Sequence, residues 1–200
     1  MTISWHGFNY FKIKNTDHTL VLNPYSLDKS SKFSKIKADV VLFTDPSRPE
    51  IKKYESDSFV MDSPGECEVH DVFIYGRKVS GQLIYQITME DIKIVFMGEF
   101  GHQEINSDEL DFIKGTDILI VPVGGGDLAT AKEANKIISH LEPRIVIPSC
   151  HSAGSGKLKL DNVESFVKEF GVKPDQEEKL KLKKKDLPQE DVKLVVLESQ

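Results

Sequence analysis

Short segments in which apolar and polar positions alternate fill the first half of the chain. Residues 3–5 and 10–13 alternate, Asn15-Thr-Asp-His18 reads as a turn, and residues 19–22 resume a strand. Asn23-Pro24 stops the pairing there, because proline brings no donor to a strand ladder. Ala38-Asp-Val-Val-Leu-Phe-Thr44 is different: a continuous apolar run of the kind buried on both faces. It ends in Asp45-Pro-Ser-Arg-Pro49, and loops after such strands commonly carry sites. Residues 58–61, 68–75, 83–88 and 93–97 read as further strands.

The rhythm then changes. Ser107-Asp-Glu-Leu-Asp-Phe-Ile113 opens on a cap-like serine with acids in its first turn, which predicts a short helix. Residues 117–122 form a buried strand closed by Gly124-Gly-Gly126. Residues 130–141 place Ala131, Ala134, Ile137, Ile138 and Leu141 on one helical face, Pro143 ends that helix, and residues 144–148 form the next strand. Residues 162–170 repeat the helical pattern with Gly171 as C-cap. The lysine-rich segment 179–185 sets Leu180 and Leu182 inward, an edge strand protected against aggregation by its charges. Residues 192–197 close the series. Many strands followed by strand–helix–strand–helix–strand predicts an α/β protein with mixed sheets.

Composition adds bounds rather than detail. At 200 residues, 39% hydrophobic and 29% charged, the chain is long enough to bury a substantial core. A formal charge of −6 argues against a general nucleic-acid surface, which rewards clustered Lys and Arg. No apolar run approaches the roughly 18–20 residues that cross a bilayer, so no membrane partner is expected. Cys67 and Cys150 are expected as reduced thiols in a cytoplasmic protein. Gly124-Gly-Gly126 lacks the lysine and hydroxyl of a phosphate-binding loop and reads as a turn.

Several segments, in order, resemble the metallo-β-lactamase superfamily, particularly its small prokaryotic branch related to ascorbate-6-phosphate lactonase. They are Ile3-Ser-Trp-His-Gly7, Leu22-Asn-Pro-Tyr25, Ala38–Thr44 as quoted above, Pro64-Gly-Glu-Cys-Glu-Val69, Phe96-Met-Gly-Glu99, residues 118–125, and Ile145-Val-Ile-Pro-Ser-Cys-His151. The resemblance implies one domain over residues 1–200, a four-layer αββα sandwich of two mixed β-sheets. Its site would lie along one edge, where strand-end loops converge.

A zinc-hydroxide hydrolase needs imidazoles and carboxylates clustered around an open metal position. In the family most ligands come from an H-x-H-x-D-H loop directly after a buried strand ending in Thr. Here that loop reads Asp45-Pro-Ser-Arg-Pro-Glu50. Its histidine positions hold Asp45, Ser47 and Glu50, and its aspartate position holds Pro49, which has no donor to offer. The next ligand-bearing loop shrinks to residues 77–80, without a histidine. The bridging carboxylate becomes Glu99, whose extra methylene displaces its oxygens, and only His151 matches a family ligand unchanged. His102 is placed near the same cleft.

These substitutions predict a protein with the scaffold kept and the metal centre dismantled, acting by binding or assembly, with no residue in a catalytic role and no cofactor. A catalytically intact paralogue or a second copy in a homo-oligomer is the expected partner. Two other readings stay open. One is a metal-dependent hydrolase of phosphodiesters or lactones, with a weakly bound Zn, Mn or Mg on Asp45, Glu50, Glu99 and His151. The other is a small-anion sensor using the vestigial cleft formed by Asp45, Ser47, Glu50, Glu99, His102 and His151.

Overall fold

The computed structural model describes residues 1–25, 36–47, 54, 57–152 and 159–200. In chain order the strands are β1 (Thr2–Trp5), β2 (Phe11–Lys14), β3 (Thr19–Leu22), β4 (Val40–Leu42), β5 (Phe59–Met61), β6 (Gly65–Val69), β7 (Val72–Val79), β8 (Gln82–Met89) and β9 (Ile92–Phe96). They continue with β10 (Ile118–Pro122), β11 (Ile145–Ser149), β12 (Asp175–Glu177), β13 (Leu180–Lys181) and β14 (Lys193–Leu197). The helices are α1 (Ser107–Phe112), α2 (Ala131–Leu141) and α3 (Val163–Phe170). None of the described helices is long and apolar enough to cross a membrane.

Two mixed sheets result, as the order of periodicities predicts. The first runs β13-β1-β2-β3-β4-β5 and the second β12-β14-β11-β10-β9-β8-β7-β6. In the first, β13, β1, β2 and β3 pair antiparallel, while β3, β4 and β5 are parallel. In the second, β6 to β9 form an antiparallel meander and β9, β10, β11, β14 and β12 are parallel. Parallel strands need long crossovers, and α1 and α2 occupy two of them.

Alternation along the strands sorts side chains between layers. Ile3, Phe11, Ile13, Leu20 and Leu42 of the first sheet meet Ile94, Phe96, Ile120 and Ile147 of the second in one buried cluster. Their intervening neighbours face out: Lys12 is half-buried and Lys14 exposed. On the other face of the second sheet, Leu119, Val121 and Val146 pack under Ala134, Ile137, Ile138 and Leu141 of α2 and Phe166 of α3. Each fully buried aliphatic side chain of this kind stabilises the fold by about 1.5–3 kcal/mol. A third cluster joins Val21 and Val41, on the outer side of the first sheet, with Phe8, Tyr25, Leu128 and Cys150.

The helix ends follow the sequence closely. Thr130 and Glu133 form a capping box at α2, Asn162 caps α3, and Gly171 ends α3 with φ 76. At α1 the cap is Asn106, one residue before the serine, in a box with Glu109. The segment 68–75, expected as one strand, is corrected to a hairpin: β6 and β7 turn at His70–Asp71, with φ values of 54 and 57. Neither residue is glycine, and Val69 and Val72 carry the apolar pattern across the bend, so periodicity passes over it. Strand β12 carries three polar residues and shows no hydrophobic pattern to read.

Candidate functional site

Parallel strands that start together also end together, which gathers the loops after β3, β4, β9 and β11 at one end of the sandwich. Asn23 leaves β3 in the left-handed region, with φ 44, and its amide reaches the end of β4. Its Oδ1 accepts from Thr44 N at 2.8 Å, and its Nδ2 donates to Thr44 Oγ1 at 2.8 Å. Gly98 follows β9 with φ 62, and a Cβ there would lie 2.7 Å from Thr44 Cβ and Cγ2. Only glycine allows both the backbone angle and the approach. Across the same end, Cys150 N donates to Phe8 O at 2.8 Å, joining the turn after β1 to the loop after β11.

On this frame the residues singled out from sequence take separate duties. Asp45 closes a local turn, its Oδ1 accepting from Ser47 N at 3.0 Å and Ser47 Oγ at 2.6 Å. Ser47 itself is exposed, and Glu50 lies outside the described residues. Glu99, half-buried, accepts a hydrogen bond from Tyr25 Oη. Tyr25 belongs to the Leu22-Asn-Pro-Tyr25 landmark, yet nothing in the sequence marks it as the partner of Glu99.

His102 is tied to α2. Its Nε2 lies 2.6 Å from Gly126 O and its Nδ1 2.9 Å from Glu133 Oε2. Both partners are acceptors, an arrangement that favours the doubly protonated ring. The Gly126 carbonyl and then the Glu133 carboxylate hold its pKa above the ordinary histidine value.

His151 behaves in the opposite way. It is 5% exposed, and its ring stacks at a tilt against Trp5 with centroids 4.5 Å apart. Burial pushes its pKa below the ordinary value, so the ring is neutral near pH 7. The Nδ1 atom faces Ser152 O at 3.4 Å, and the buried Nε2 has no hydrogen-bond partner among the described residues. Sequence reasoning named His151 but missed Trp5 beneath it. Cys67 and Cys150 are free thiols, and Cys150 is fully buried, with its Sγ 3.9 Å from Gly98 O.

A zinc centre takes at least three protein donors at about 2.0–2.3 Å. Among the described residues, no group of three or more His, Cys, Asp and Glu side chains converges in that way. The described donor set therefore does not fit zinc. Asp45 bonds to its own loop, Glu99 to Tyr25 and His102 to α2, while His151 faces an indole rather than a carboxylate.

Two mixed sheets face to face, with the site in the loops at one end, define a metallo-β-lactamase-like α/β fold. The chain belongs to the β-lactamase superfamily: the family described as "Beta-lactamase superfamily domain" matches residues 2–150. A protein of Thermotoga maritima, proposed to be a Zn-dependent hydrolase of the metallo-β-lactamase superfamily, is 27% identical. The two superpose with a TM-score of 0.84 over 99% of each chain. A proposed metal-dependent hydrolase of Parabacteroides distasonis is 16% identical, covering 99% of this chain and 93% of that one, with a TM-score of 0.65. Igni18, a metallo hydrolase of Ignicoccus hospitalis, is 13% identical over 85% of this chain and 90% of its own, also at 0.65. These last two likenesses are of fold alone.

Proposed function

We propose that this hydrolase-like protein has lost most of its metal ligands and acts by binding or assembly rather than by hydrolysis. One observation carries the reading: the described carboxylates at the ligand positions, Asp45 and Glu99, are engaged in hydrogen bonds within the fold. Asp45 serves the turn of its own loop through Ser47, and Glu99 accepts from Tyr25. A metal recruiting either carboxylate would share it with these donors, and would then meet a single imidazole, His151. Pro49 adds no donor.

Elemental analysis of the purified protein, before and after loading with zinc and with manganese, tests the reading. Each form is then assayed on phosphodiester and lactone substrates. The expected result is metal well below one equivalent and no turnover above buffer. A stoichiometric, chelator-resistant metal with turnover that disappears on its removal would overturn it and leave the metal-dependent hydrolase in its place.

A further inference from the structure

Three polar side chains at the site end are buried and carry hydrogen-bonding atoms that no described residue satisfies. Asn9 and Ser149 are 0% exposed, and His151 nearly so. Both amide atoms of Asn9, the Oγ of Ser149 and the Nε2 of His151 lack partners. A buried polar atom without a partner is costly, so four of them in one region demand an explanation.

They share that region because of how the chain closes on itself. Ser149 has the same strand parity as Ile145 and Ile147, which lie in the cluster between the sheets. Asn9 follows Phe8, whose carbonyl accepts from Cys150 N at 2.8 Å and from Trp5 Nε1 at 3.0 Å. Cys150 sits between Ser149 and His151, and the His151 ring lies on Trp5. One carbonyl thus ties together the neighbours of all three residues.

We propose that Asn9, Ser149 and His151 wall a closed polar chamber that binds ordered water, at the place where the fold once presented its last metal ligand. The proposal rests on the reading that His151 no longer serves a metal. The chemistry of the walls selects the ligand. An amide offers donors and an acceptor, a hydroxyl offers both, and an imidazole nitrogen completes the set; none is a carboxylate, ammonium or guanidinium. Water, which donates two bonds and accepts two, matches such a set, whereas a bare ion would be buried without a counter-charge.

A crystal structure of the protein as purified, at about 1.5 Å or better, tests this directly. The expected result is solvent density within about 2.6–3.2 Å of at least two of these groups. Side chains bonded to one another, with no density between them, would overturn the chamber and leave the proposed function standing. An anomalous signal at the zinc edge beside His151 would overturn both.

Thermal unfolding supplies a sign test. Replacing Asn9 with leucine strips bound water of a partner and is expected to lower the midpoint by about 3–6 °C. Were the amide truly unsatisfied, Asn9→Leu would remove a penalty and raise the midpoint, which overturns the proposal. Ser149→Ala, a smaller change, is expected to lower it by about 2–4 °C, and an unchanged or raised value counts against the chamber.

Discussion

Asn23 and Gly98 hold the site end together by different means. The Asn23 amide satisfies two buried groups of Thr44, while Gly98 supplies an absence of volume. Asn23→Gly keeps the left-handed backbone and deletes both bonds. It is expected to cost about 2–3 kcal/mol in urea unfolding, since Thr44 N and Oγ1 are left unpaired. A loss below about 0.5 kcal/mol would show that the backbone angle, not the amide, is what the position requires. Gly98→Ala meets the Thr44 side chain and a positive φ at once, and is expected to cost about 2–4 kcal/mol in the same assay. Neither role was legible in the sequence. Asn23-Pro24 reads as a strand stop, and the contact with Thr44 crosses residues that only the parallel pairing of β3 and β4 brings level. What the sequence does display at this loop is Asp45, Ser47 and Pro49 at positions where the resemblance implies histidine and aspartate.

Helix α2 shows how far local rules reach. Its cap, its apolar face and its end follow from Thr130, from Ala134, Ile137, Ile138 and Leu141, and from the break before Pro143. What those rules omit is that the capping carboxylate is shared. Glu133 Oε2 accepts from Thr130 N at 2.8 Å and also faces His102. Glu133→Gln retains a cap but removes the charge. It is expected to bring the titration midpoint of His102, followed by NMR of its ring protons, down towards the ordinary histidine value. An unchanged midpoint would assign the whole shift to the Gly126 carbonyl. Hairpin β6–β7 marks the opposite limit: its left-handed His70–Asp71 turn has none of the glycine or asparagine that signals such a turn.

Across the whole molecule, two histidines contribute to the acid arm of the expected stability profile. Burial, then Lys12 and Lys179, lowers the pKa of His6, and burial lowers that of His151. Both take up protons in the unfolded chain before they do so in the fold. Their contribution is therefore present above about pH 6.5 and is lost as pH falls from there towards the folded values. His102 has the opposite sign: its contribution is full below its unfolded value and fades as pH rises through the raised one. His6→Gln is expected to flatten the decline in urea midpoint between pH 6.5 and 5, and an identical slope would assign that decline to other groups.

The pairing of β1 with β13 bears on how the molecule is made. Ile3 pairs on its outer side with Leu180. At about 5–20 residues per second, the first strand leaves the ribosome on the order of 10–40 s before its partner is synthesised. Throughout that interval one side of β1 offers unpaired backbone to any other nascent chain, and its closure is a long-range, slow event. A synthesis that stops before Leu180 leaves that side open for good.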